Sequence, residues 1–151
     1  AGRRRDHAAV AADRLQHRKQ IADWLRRGEV VVANRYVQSN LYSAARVKAG
    51  KEREAFIRWL ESLESSMPAA DGVVYLDVPA RTSGKLLKQR GRKKDLHEKN
   101  VAYLNRVRGV YEEQARRKRW TVVQCVAKGK LRGKKDIASE VYAHAERLLR
   151  R

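Results

Sequence analysis

The apolar residues of the chain fall into two kinds of pattern, short unbroken runs and sets at helical spacing. Residues 8–27 place Leu15, Ile21, Trp24 and Leu25 at helical intervals, with Gly28 as a stop signal. Residues 29–33, EVVVA, form an apolar run that predicts a short strand buried on both faces. Ser39 to about Lys48 reads as helical. Residues 52–64 predict an amphipathic helix with Ala55, Phe56, Trp59, Leu60 and Leu63 on one face. Pro68 and Gly72 bracket a turn, and VVYLDV at 73–78 is a second buried strand. Pro79 suits the start of a helix carrying Leu86 and Leu87. A basic loop, QRGRKK at 89–94, precedes a long helix over 95–117, where Asp95 and Glu98 have the spacing of a capping box. WTVVQCV at 120–126 is a third strand. The last helix, about 134–150, turns Ile137, Val141, Ala145, Leu148 and Leu149 inward. Strands separated by helices predict one α/β domain over 1–151 with a parallel sheet. Three strands are few for such a sheet, so the architecture reads as incomplete at its N-terminal side.

Composition narrows the class. The chain has 151 residues, of which 42% are hydrophobic, enough for a core and too many for a disordered chain. No apolar run approaches the length of a membrane span, and the opening residues AGRRRDH lack the apolar stretch of a secretory signal. A single cysteine, Cys125, forms neither an internal disulfide nor a cysteine-rich metal site. The cytoplasm is the expected compartment. The net charge of +19 is uneven: residues 1–75 carry 14 basic and 9 acidic residues, residues 76–151 carry 22 and 8. A field of that sign attracts polyanions, so nucleotides and, through the basic C-terminal half, nucleic acid are the partners to weigh. With few aromatic residues and no zinc-finger or RNP-like spacing, charge alone does not separate a nucleic-acid binder from a merely basic surface.

The candidate chemistry sits where strand 29–33 ends, at Asn34-Arg35-Tyr36. In open α/β sheets ligands lie beyond the carboxyl ends of the strands, and an arginine there grips a phosphate through two parallel N–H bonds. The bland alternative pairs Arg35 with Asp77, which ends the next strand. Arg14 has a similar alternative, a helix-surface pairing with Asp13 or Asp23.

Four segments in order then carry a resemblance: AADRLQH (11–17), VVVANRYVQSN (30–40), VVYLDVP (73–79), and KKDLHEKN (93–100) with YLNRVRGVY (103–111). Together they resemble thymidylate kinase, a nucleoside-monophosphate kinase with the P-loop NTPase fold. The resemblance implies a nucleotide-biosynthesis transferase that moves the γ-phosphoryl of ATP, with Mg²⁺, to dTMP. It implies that Arg14 reads the thymine edge and Arg35 holds the acceptor phosphate. It also implies that Tyr36, Ser39 and Asn40 line the nucleoside pocket. Arg90 and Arg92, in the lid-like loop 89–94, would cover the transferring phosphoryl as catalytic arginines; on their own they equally read as a solvated charge run. Association of two copies through helices is implied as well. His17 and His97 have no metal-ligand spacing.

The chain departs from the family pattern at several places. No GxxxxGKS/T loop occurs in it; Ser83-Gly84-Lys85 has Pro79 where the first glycine belongs and follows the wrong strand. The family's P-loop and central strand would lie before Ala1. Asn34 stands where the family has the aspartate that organises Mg²⁺, keeping an oxygen for the cofactor but losing the charge. Ala44 stands about where a glutamine meets the nucleoside, and Val10 where an aromatic ring stacks on the base. The chain as written is therefore expected to lack phosphotransfer. The alternative is a degenerate kinase fold serving as a basic RNA- or DNA-binding protein or a ribonucleoprotein component.

Overall fold

The computed structural model describes residues 10–83 and 101–150. The chain divides into two compact units, Ala1–Ala69 and Ala70–Arg151.

The first unit is helical. Helix α1 (10–16) and helix α2 (Arg18–Arg26) are separated by a turn at His17, so the helix expected over 8–27 is broken there. Gly28, at φ 76°, ends α2: its N–H bonds to the Leu25 carbonyl and the Glu29 N–H to the Trp24 carbonyl. These two bonds make a Schellman motif, whose left-handed residue glycine occupies without a steric penalty. Residues 29–33 do not form the expected strand. Val30 is 63% exposed and Val32 90% exposed, and no strand among the described residues pairs with them. A strand exists only through a partner's backbone, so apolar composition alone does not produce one.

Residues Val37–Arg46 form a 3-10 segment, and helix α3 follows at Lys51–Leu63. The two pack together around Leu41, Ala44, Ala45, Ile57 and Leu60. The buried stripe of α3 is turned from the expected face: Ile57 is inside and Ala55 faces solvent, while Phe56 and Trp59 stack on each other at its margin. Arg53 caps the preceding loop by donating from Nε and Nη2 to the Val47 carbonyl.

The second unit contains the sheets. Strand β1 (Val74–Asp77) runs parallel to β2 (Thr121–Gln124), with Val74 opposite Thr121 and Asp77 opposite Gln124. A parallel pair needs a long crossover, and helix α4 (Val101–Arg117) lies on that path and packs on β1. Helix α5 (Lys134–Leu149) packs on β2. The core gathers Ala80, Tyr103, Val110, Ala115, Val123 and Cys125. Tyr75 and Tyr111 stack at 5.5 Å between ring centroids, fastening β1 to α4. Pro79 precedes a helical turn at 80–83 as expected; Leu86, Leu87, the loop 89–94 and the Asp95–Glu98 cap lie outside the described residues. Of the five residues expected inward on α5, Leu149 is exposed and the other four are half-buried. Cys125 is buried and its thiol is pushed up by that burial, which keeps it in the unreactive protonated form. No helix among the described residues is long and apolar enough to cross a membrane.

Beyond β2 the chain makes a small antiparallel hairpin, β3 (Val126–Ala127) with β4 (Lys130–Leu131). Its two central residues, Lys128 and Gly129, have φ of 50° and 74°. Positive φ at both positions is the requirement of a type I′ turn, for which Asn-Gly is the best sequence. Lys128→Asn is expected to stabilise the second unit by about 0.5 kcal/mol, because asparagine tolerates the left-handed region better than lysine. A thermal melt checks it; a lowered midpoint would contradict this turn geometry.

Candidate functional site

In the first unit two of the sequence-predicted residues, Arg14 and Asn40, converge on a group that periodicity did not single out, the carboxylate of Glu64. Glu64 follows α3 directly and its side chain is 2% exposed. Arg14, on α1, donates from Nη1 to Glu64 Oε1 at 2.6 Å. Asn40, in the 3-10 segment, donates from Nδ2 to Glu64 Oε2 at 2.6 Å. Each carboxylate oxygen thus has one short donor, and the buried charge is both paired and hydrogen-bonded, as burial demands. Arg14 does not take the surface pairing with Asp13 or Asp23; Asp23 is held by Arg26.

Asn40 sits here because the 3-10 segment brings its buried residues against α3. Ser43 Oγ donates to the Asn40 carbonyl at 2.7 Å and fixes that turn. Tyr36, at the head of the segment, donates its hydroxyl to the Pro68 carbonyl at 3.0 Å. Its pKa is raised, first by burial and then by the negative charge of Glu64, with Arg14 acting in the opposite sense. Tyr36 therefore lies within electrostatic reach of the Arg14–Glu64 pair.

Arg35 stands next to Tyr36 on exposed backbone at φ 72°, a left-handed conformation unusual for arginine. Its Nε donates to Ser39 Oγ at 3.3 Å. Among the described residues no carboxylate pairs with it. Asn34 lies on the exposed bend before it, and Ala44 is wholly inside the first unit's core. Arg90 and Arg92 lie outside the described residues.

In the second unit Asp77 is 0% exposed and receives a two-pronged grip from Arg108, Nε to Oδ1 at 2.6 Å and Nη2 to Oδ2 at 2.7 Å. Arg108 also reaches Glu112 at 3.0 Å, one turn along α4. The guanidinium holds the Asp77 carboxyl below its usual range, against the burial that would raise it. The alternative pairing of Asp77 with Arg35 is thereby corrected: Arg108 occupies both oxygens. For Mg²⁺, Asn34 offers one neutral carbonyl oxygen in place of a carboxylate, and among the described residues no three His, Cys, Asp or Glu side chains converge.

Two of these residues were missed by sequence reasoning. Glu64 had a signal, since it lies four and seven residues after Leu60 and Ile57, on the buried stripe of α3. A carboxylate in that register implies a partner. Arg108 had none, being separated from Asp77 by 31 residues.

Comparison with known proteins supplies the lineage. The family described as thymidylate kinase matches residues 3–135. A probable thymidylate kinase of Pyrobaculum aerophilum is 28% identical over 147 residues, covering 96% of this chain and 69% of that protein. One from Pyrobaculum calidifontis is 31% identical over 146 residues, 95% of this chain and 68% of that protein. A thymidylate kinase of Mycobacterium tuberculosis is 34% identical over 106 residues, 63% of this chain and 50% of that protein. The chain belongs to the thymidylate kinase family.

Proposed function

We propose that this chain carries the acceptor-nucleotide site of a P-loop-type dTMP kinase, whose lineage phosphorylates dTMP to dTDP with ATP and Mg²⁺. The observation that carries the reading is the cluster Arg14–Glu64–Asn40 with Tyr36 beside it and Arg35 adjoining, all within the first unit. An exposed arginine that pairs with no carboxylate among the described residues suits a phosphate dianion. A recessed set of donors suits the polar edge of a base. Ser39, which accepts from Arg35, restrains that guanidinium at the head of the 3-10 segment. Arg90 and Arg92 are assigned to the phosphoryl-transfer end by family likeness.

The 151-residue chain contains no GxxxxGKS/T loop, and Asn34 offers Mg²⁺ no carboxylate. It is therefore expected to bind dTMP without phosphorylating it. Calorimetric titration with dTMP, paired with an ATP:dTMP transfer assay on the same preparation, tests both halves. Micromolar to millimolar binding with no dTDP formed supports the reading. Formation of dTDP would overturn the expected inactivity. Absence of dTMP binding, with RNA binding that falls steeply as salt rises, would favour the alternative of a basic nucleic-acid binder, for which the 22 basic residues of 76–151 are the motive.

A further inference from the structure

Glu64 is a buried acid in a site assigned to an anionic ligand, and an acid there repels a phosphate. Its presence is informative because of what it does to its two neighbours. It binds Arg14 through one oxygen and Asn40 through the other, both at 2.6 Å. The Arg14–Glu64 pair carries no net charge. Arg14 retains N–H donors beyond Nη1, for which no other partner is found among the described residues, and its side chain remains 19% exposed. What the cluster offers a ligand is a set of fixed donors at zero net charge. Such a set matches an uncharged ring bearing carbonyl oxygens better than a phosphate, which would gain from Arg14 and lose nearly as much to Glu64. Arg35 is the converse case, a guanidinium with a serine hydroxyl for a neighbour and no carboxylate among the described residues.

We propose that Glu64 is a positioning and specificity-determining residue: it cancels the charge of Arg14, holds Arg14 and Asn40 as a neutral donor pair for the base, and so leaves the phosphate to Arg35. The proposal rests on the acceptor-site reading above. Without Glu64 the pocket becomes a second anion site, and the ligand gains a wrong way to bind, phosphate inward.

The experiment is calorimetric titration of the chain and four variants with dTMP and with 2-deoxyribose 5-phosphate, which has the phosphate and lacks the base. The wild-type chain is expected to prefer dTMP by about tenfold or more, the scale of one or two hydrogen bonds to a charged group. Glu64→Gln is expected to weaken dTMP about tenfold and to tighten deoxyribose 5-phosphate about threefold or more, collapsing the preference. Glu64→Asp keeps the charge and is expected to leave deoxyribose 5-phosphate at its wild-type affinity. Adding Glu64→Gln to Arg14→Ala is expected to cost dTMP less than Glu64→Gln costs alone, since only the hold on Asn40 is then left to lose. The gained affinity for the sugar phosphate is the decisive readout, because a variant that has only lost structure binds everything less well. Glu64→Gln with both affinities unchanged, or with both lowered, overturns the proposal while leaving the acceptor site standing. A wild-type chain that binds neither ligand removes the site itself and the proposal with it.

Discussion

Arg35→Ala is expected to weaken dTMP binding by roughly 100-fold, the largest loss from any single substitution in the first unit. Charge-assisted hydrogen bonds contribute about 1.5–3 kcal/mol, and a guanidinium gripping a phosphate through two N–H groups sits at the upper end. Arg14, the other arginine of the cluster, already answers to Glu64. Arg35→Lys separates charge from geometry. Lysine keeps the positive charge but not the planar fork, so an intermediate loss of about tenfold is expected. Folding is expected to survive both changes: Arg35 is exposed, and its one described side-chain bond is the 3.3 Å contact to Ser39. Its φ of 72° is equally unfavourable for alanine, lysine and arginine, so the backbone term cancels. The measurement is the dTMP dissociation constant by calorimetry, with the ligand-induced rise in melting temperature as a second reading. Unchanged affinity in Arg35→Ala would mean that the phosphate binds elsewhere, and the acceptor site would have to be redrawn.

How far these features were legible in the sequence depends on how local their causes are. The stop at Gly28 was legible because a Schellman motif is made by six consecutive residues and needs one left-handed position. The strands VVYLDV and WTVVQCV were legible, and they do pair in parallel, because each apolar run is bounded by turn signals and followed by a helix. The run at 29–33 has the same composition and forms no strand, because pairing is a property of the partner and not of the run. On α3 the helix was legible but its phase was not: Ala55 and Ile57 both fit an apolar face, and tertiary packing against the 3-10 segment selected Ile57. The candidate site divides in the same way. Arg14, Arg35 and Asn40 stand out as polar residues in a recognisable order. The charge relationship among them comes from Glu64, 50 residues from Arg14 and 24 from Asn40. On the reading proposed above, that relationship leaves the phosphate to Arg35, and no spacing along the chain encodes the Arg14–Glu64 contact.

Arg108→Met is expected to destabilise the second unit by about 3 kcal/mol at neutral pH, and the deficit is expected to shrink as pH falls. Removing one partner of a buried ion pair typically costs about 3–5 kcal/mol, because the remaining charge is left buried. The lower figure applies because Arg108 is itself 33% exposed, and because side-chain hydrogen bonds from Gln124 and Tyr75 also favour the Asp77 anion. Loss of the Glu112 contact, an exposed pair one helical turn away, adds about 0.5 kcal/mol at most. The pH dependence follows from where one group titrates in the two proteins. In the wild-type chain the Arg108 hydrogen bonds hold the Asp77 carboxyl below its unfolded value of about 3.9, so its stabilisation is complete above that value and is lost as pH falls through the folded one. In the variant burial is opposed only by the Gln124 and Tyr75 hydrogen bonds, so the same carboxyl titrates higher than in the wild-type chain. The penalty is then complete at neutral pH and disappears as the buried acid takes up a proton. The two stability curves therefore converge in acid, even though the wild-type chain is itself weakening there. Denaturant melts of both proteins from about pH 7 to pH 3 read this directly. A gap that stays constant across that range would show that Arg108 supports α4 by packing of its methylene stem, and that the charge of Asp77 contributes nothing to holding the helix on β1.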